Sequence, residues 1–146
     1  VVAAETRACP ALNTPDHIAI SVGATASTCD PETVTFTVNN ASSDPITDYT
    51  GTLTLSASTG HGDWSKTGTA SDAYGTLSAG ASDSGSATYT FSASDNGTVT
   101  LHLDNGRTEG LTVTAVDSDA GATGTSSTVT YTTNSFSGFD SDSLRS

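Results

Sequence analysis

Hydrophobic and polar residues alternate along most of this chain, which is the pattern of half-buried β-strands. The clearest run is 33–38, where Val34, Phe36 and Val38 face one way and threonines face the other. In 52–56, Leu53 and Leu55 form the apolar side. The predicted strands are 17–22, 33–38, 52–56, 73–77, 86–92, 98–103, 111–115 and 128–133. No segment shows the apolar period of a helix, so we predict an all-β protein.

Two Asx-Asn-Gly turns lie between alternating segments. The first, at 95–97, separates 86–92 from 98–103, and the second, at 104–106, precedes 111–115. A short turn of this composition between two strands favours a hairpin. The three strands are therefore predicted to form a meander.

Seven or eight short strands, with turns about every 8 to 12 residues, are typical of an immunoglobulin-like β-sandwich. A length of 146 residues is sufficient for one such domain. We predict a sandwich over 9–133, an N-terminal arm at 1–8 and a C-terminal tail or linker at 134–146.

Composition agrees with exposed strands and limits the partners. Hydrophobic residues make up 34% of the chain, and Ser and Thr supply about a third of it, a composition suited to wet sheet faces. The net charge of −12 argues against nucleic acid and anionic membranes as partners, since both are bound through Lys and Arg. No stretch approaches 18 apolar residues, so no membrane span is expected. The chain also begins without a signal-peptide pattern, so we interpret it as mature or excised material.

Cys9 and Cys29 are the two cysteines, and no His lies at zinc-finger spacing from them. A disulfide between them would close a loop of roughly 20 residues and contribute about 3 kcal/mol. It would also imply an oxidising compartment. The alternative is a pair of separate buried thiols in a cytosolic protein. We predict the bridge and an extracellular or bacterial cell-surface location.

Several short motifs resemble those of Ig-like repeats in bacterial surface proteins. They are DHIAI at 16–20, YTGT at 49–52, GDW at 62–64 and TYTF at 88–91, with Cys29 ahead of Val34. The nearest resemblance, over about residues 9–133, is to the family of the biogenesis protein Q of mannose-sensitive haemagglutinin pili. This resemblance implies an exported, non-catalytic domain of a pilus-associated or adhesive protein. The chain is shorter than such proteins, so the resemblance concerns a module.

No catalytic constellation is recognisable, and we predict that the chain is not an enzyme and needs no cofactor. His17, His61 and His102 lie on separate elements, and no metal site can be argued from their spacing. The HGD loop at 61–63 could contribute at most part of one. The alternating aspartates at 117/119 and 140/142 have calcium-loop spacing but lack the remaining EF-hand ligands. We interpret them as solvated acidic turns.

Two kinds of glycan contact are open. Trp64, Tyr49 and Tyr74 could form a sugar-stacking platform, although an aromatic after a loop is more often part of a core. Asn40 and Asn96 begin the sequons NAS and NGT, which makes both candidate glycosylation sites.

The N-terminal arm begins with Val1, Val2, Ala3 and Ala4 and could add as a strand to a sheet edge of a neighbouring copy. The alternative is an ordinary frayed terminus. We therefore predict a structural subunit or module of an extracellular bacterial fibre, pilus or adhesin, whose partner is itself or another surface module. The competing hypothesis is a carbohydrate-binding module with its site near Trp64.

Overall fold

The computed structural model describes residues 14–66 and 73–133. In these residues the chain forms twelve β-strands and a short 3₁₀ helix at Ala93–Asp95. The strands are β1 (His17–Ser21), β2 (Thr25–Ser27), β3 (Glu32–Asn39), β4 (Thr52–Ala57), β5 (Asp63–Lys66), β6 (Thr76–Ala79), β7 (Ser86–Thr90), β8 (Thr98–Asp104), β9 (Gly110–Leu111), β10 (Val113–Asp117), β11 (Ala122–Thr125) and β12 (Val129–Thr132). The prediction of an all-β sandwich is confirmed. The arm at 1–8, Cys9 and the tail at 134–146 lie outside the described residues.

Side-chain alternation explains which face of each strand is buried. In β4, Leu53 and Leu55 are fully buried, whereas Thr52 and Thr54 are exposed. Successive side chains of a strand point to opposite faces, so one apolar residue in two is enough to line a core. This is how a chain that is only 34% hydrophobic fills the interior.

Nine strands pair in the order β5-β8-β3-β1-β11-β10-β4-β7-β6, and β2-β12-β9 form a second, small sheet. The nine-stranded sheet folds over on itself, because strands from both of its halves contribute to a single apolar cluster. Its end strands β5 and β6 also come into contact. The two layers of the sandwich are therefore β5-β8-β3-β1 and β11-β10-β4-β7-β6.

The predicted meander is wrong. Strand β7 pairs with β4 and β6, whereas β8 pairs with β3 and β5 in the other layer. The first turn does not form a tight hairpin, because Asp95 is buried and its side chain closes a capping box on the 3₁₀ helix. At the second turn Asn105 is fully buried and accepts a hydrogen bond from the Arg107 amide. Both turns carry the chain from one layer to the other.

The prediction of seven or eight strands was also too low. The predicted strands omit β2, β5 and β11, which are short and mostly polar. Strand β9 is separated from β10 by one residue, Thr112. On the partner segment, two residues, 127 and 128, lie opposite Thr112. Ser126 is hydrogen-bonded to Val113 on one side of them, and Val129 pairs with Leu111 on the other. Two residues opposite one make a β-bulge. The small sheet is thus an extension of the β10–β11 pair beyond this bulge.

In the residues that the structure describes, no helix is long and apolar enough to cross a membrane.

Candidate functional site

Trp64 lies on β5 with its side chain directed into the core. It is 4% exposed, its ring packs against Phe36 with centroids 5.8 Å apart, and its indole N–H donates to the Gly85 carbonyl at 3.0 Å. The hydrogen bond joins β5 to the loop that precedes β7. Trp64 therefore closes the sandwich where its two end strands meet, and its ring faces are not open to a sugar.

Tyr49 is also buried, and only Tyr74 of the predicted platform is exposed. The Tyr49 ring packs edge-on against Phe91, with centroids 5.0 Å apart, whereas Tyr74 is 51% exposed. The three side chains thus form no common exposed surface. The carbohydrate-binding alternative is left with Tyr74 as its single accessible ring.

Tyr49 is hydrogen-bonded to the buried carboxylate of Asp117. Its hydroxyl donates to Asp117 at 2.5 Å, and the other Asp117 oxygen accepts from the amides of Asp119 and Ala120. Burial raises the pKa of the Tyr49 hydroxyl above its usual value, and the hydrogen bond and negative charge of Asp117 raise it further. Asp117 is 4% exposed, so the interpretation of 117/119 as a solvated turn is wrong for this residue. Its role is to join the segment before β4 to the turn after β10.

A second buried carboxylate, Asp95, performs the same task elsewhere in the core. It accepts the Tyr89 hydroxyl at 2.9 Å, the Tyr74 amide at 2.7 Å and the Ser92 amide at 3.0 Å. Buried carboxylates are tolerated when several donors satisfy them. These contacts connect the 3₁₀ helix to the segment that enters β6.

A polar cluster of His61, Asp83, Arg107 and Glu109 joins three loops at one end of the sandwich. His61 Nδ1 lies 2.8 Å from Glu109 Oε1, and the Arg107 guanidinium donates to Asp83. The Arg107 hydrogen bond is the main reason that the pKa of Asp83 is lowered. Burial works against the ionisation of Glu109, but hydrogen bonds from His61 and its neighbours outweigh it and lower the pKa of that carboxyl.

The sequence had indicated His61 but not its partner. Glu109 is 48 positions away along the chain, and no local spacing predicts the pair. The three histidines do not converge, and no group of three or more His, Cys, Asp or Glu side chains in the described ranges could hold a metal. Every member of the cluster is already paired within it, so the cluster acts as a connection between loops.

The two sequons differ in accessibility. Asn40 is 4% exposed, and its Oδ1 accepts from the amides of Ser42 and Asp44, so a glycan there would require the turn to open. Asn96 is exposed at the end of the 3₁₀ helix, in the left-handed region at φ 56°. Only Asn96 has the exposure that an attached glycan needs.

Of the residues in the predicted bridge and the predicted assembly arm, the structure describes only Cys29. Cys29 is an exposed free thiol in the described part, and its predicted partner Cys9 lies outside it. Residues 1–4 also lie outside it. The pairing and the arm therefore stay predictions.

Comparison with known proteins does not add to this geometry, because no protein-family model matches the chain and no curated protein matches it.

Proposed function

We propose that this chain is a structural module of an extracellular bacterial fibre, pilus or adhesin. The observation that carries the proposal is the course of the strands at the two ends of the described chain. Strand β1 runs parallel to β11, and β2 runs parallel to β12. Since the paired strands run in the same direction, the described chain enters the sandwich beside Thr123 and leaves it beside Ser27, at most about 30 Å away at the rise of a β-strand.

This arrangement suits a module in a linear array. Neighbours attached before β1 and after β12 would lie at opposite ends of the sandwich. Tension between them would act along the parallel strands, so the hydrogen bonds that join these strands would share the load. A domain whose first and last strands are antiparallel neighbours would instead be peeled apart one bond at a time.

Polar contacts inside the sandwich and at its surface support a structural role. Buried Asp117 and Asp95 secure turns, and the partly exposed polar cluster secures loops. The motifs on which the proposed resemblance to surface-protein repeats rests contain core residues: Tyr49 contacts Phe91, and Trp64 contacts Phe36. We propose that these motifs serve packing and that the chain has no enzymatic activity.

The immunoglobulin-like topology belongs to the same proposal. The layers β1-β3-β8-β5 and β11-β10-β4 correspond in spatial order to the ABED and GFC sheets of immunoglobulin domains, and β7 and β6 extend the second layer. The connectivity departs from that pattern, because β5 follows β4 directly and precedes β6 and β7.

We further propose that copies join end to end when the arm beginning with Val1 and Val2 adds as a strand to a neighbour, and that a Cys9–Cys29 bridge fastens the arm. Among the described residues β2 and β9 are the outer strands of the small sheet, so an added strand would pair with one of them. Such a heterologous contact produces open filaments when its rotation does not close.

Electron microscopy tests this function. Negative staining of purified native material should show regular fibres, and immunogold labelling of intact cells with an antibody to this chain should decorate the surface. Deletion of residues 1–8 should abolish the fibres while leaving the circular dichroism of the sandwich unchanged. Strictly monomeric particles, with a mass unaffected by the deletion, would exclude strand donation, and a purely cytoplasmic label would exclude the surface role.

A further inference from the structure

Cys29 lies at the end of the sandwich where the described chain leaves it. The residue follows β2, its thiol is exposed, and its amide donates to the Ser27 hydroxyl at 3.0 Å. One position earlier, the Thr28 amide donates to the carbonyl of Thr132, the last residue of β12. Cys29 is therefore beside the exit of the chain from β12.

The chain enters the sandwich at the opposite end. The Asp16 amide donates to the carbonyl of Asn39, the last residue of β3, whereas Cys29 lies three residues before Glu32, the first residue of β3. The eight residues of β3 measure about 23 Å at the rise of a β-strand. This length separates the entry of the chain from the end that carries Cys29.

The separation limits which Cys9 can reach Cys29. The described chain begins at Thr14, five residues after Cys9, and five residues span at most about 18 Å. The two α-carbons of a disulfide lie about 6 Å apart, so the total reach from Thr14 is about 24 Å. The arm of the same copy would have to run back along the whole sandwich, fully extended, to arrive at Cys29. The arm of a copy attached end to end starts beside Cys29 and needs no such extension.

Strand direction favours the second arrangement. Strands β1 and β2 run the same way, because they are parallel to β11 and β12, which are antiparallel to β10 and to its extension β9. In copies that follow one another along a fibre, the arm of one copy therefore runs parallel to β2 of the copy before it. With Cys9 level with Cys29, a parallel arm places residues 5–7 beside β2, which is an outer strand among the described residues.

We propose that the Cys9–Cys29 bridge forms between successive copies of this chain, with Cys29 of one copy receiving Cys9 from the next. The bridge rests on the end-to-end assembly proposed above and adds a covalent bond to each junction. It forms by two exchanges with a protein disulfide of the export compartment: one cysteine thiolate attacks that disulfide, and the other then displaces the oxidant from the mixed disulfide. The two thiol protons and two electrons end on the oxidant, which leaves as a dithiol.

Isotope mixing of the full chain tests the proposal. Labelled and unlabelled chains are mixed in the reduced state, assembled, oxidised with oxidised glutathione and digested on the N-terminal side of aspartates, which separates Cys9 from Cys29 at Asp16. A bridge between copies should give disulfide-linked Cys9 and Cys29 peptides in mixed as well as unmixed isotope pairs. Electrophoresis without reductant should show multiples of 14.6 kDa that return to the single mass on reduction.

Cys29→Ser combined with Thr123→Cys is the matched control. It moves the thiol to an exposed position beside His17, at the end where the chain enters. The arm of the same copy reaches this position, so the linked peptides should now be unmixed and the multiples of the chain mass should disappear. Both changes are at exposed residues, and circular dichroism checks that the sandwich is unaltered.

The outcomes separate the bridge from the fibre. Unmixed pairs alone in the unaltered chain, or linked peptides that join two copies of Cys29, would overturn the bridge between copies. Regular fibres whose subunits run at 14.6 kDa without reductant would overturn the bridge and leave the end-to-end assembly standing. Mixed Cys9–Cys29 pairs from a chain that forms no regular fibres would support the bridge and contradict the fibre.

Discussion

At the residue scale, the polar side chains that matter most are those buried with a tyrosine. Asp117 and Asp95 each accept one tyrosine hydroxyl and two backbone amides. Sequence spacing had marked Asp117 for its alternation with Asp119, but its partner Tyr49 is 68 positions away. A carboxylate's burial depends on which strands surround it, and that information is absent from its local sequence.

Replacing Tyr49 with Phe isolates the hydrogen bond to Asp117. The ring still packs on Phe91, but the buried carboxylate loses its side-chain donor, so the free energy of unfolding should fall by about 1.5 to 3 kcal/mol. Urea denaturation measures the change. Tyr74→Phe is the control and should stay within about 0.5 kcal/mol, because that side chain is 51% exposed. Equal losses in both variants would show that the Tyr49–Asp117 hydrogen bond contributes no more to the free energy of unfolding than an exposed hydroxyl does.

At the scale of elements, individual strands were more predictable than their partners. Alternation in 33–38 and 52–56 located β3 and β4 and their buried faces before any pairing was known. The DNG turn after 86–92 suggested a hairpin, yet β7 and β8 lie in different layers. Turn composition records a local change of direction, whereas the pairing of strands depends on contacts across the whole sandwich.

Gly124 is the point where the pairing of the first strand is most sensitive. A β-carbon at this position would overlap the carbonyl oxygen of Ile18, so only glycine allows β11 to approach β1. Gly124→Ala should lower the free energy of unfolding by about 1 to 3 kcal/mol or more and speed amide exchange along β1. Gly106→Ala, where a β-carbon meets no atom within 4 Å, is the matched control and should change little. Unaltered exchange along β1 in the Gly124 variant would argue against this close approach.

At the scale of the whole molecule, three buried tyrosines couple stability to alkaline pH. Burial is the largest cause that raises the pKa of the Tyr49, Tyr89 and Tyr131 hydroxyls above the ordinary value of about 10. The folded protein therefore retains phenolic protons that the unfolded chain releases. Their contribution to stability is complete below about pH 10 and is lost as the pH rises above it.

Urea midpoints measured between about pH 8 and about pH 12 should decline above pH 10, alongside a delayed rise in phenolate absorbance. The Tyr49→Phe variant should show a smaller decline, since it has lost one of the three protons involved. A midpoint that stays constant to pH 12 would contradict the coupling.

By itself, the sequence determined the all-β class, the position of the main strands and the residues that line the core. These features follow from side-chain direction, which alternates with a period of two and needs no partner to be read. Only the tertiary structure decided which strands pair, that Trp64 and Tyr49 are interior, that Asp117 is buried and that His61 contacts Glu109. It also paired β1 with β11 and β2 with β12 in parallel and gathered outward threonines of five separate strands on one face. All of these depend on contacts between residues far apart in the chain, and such contacts are settled by the packing of the whole sandwich.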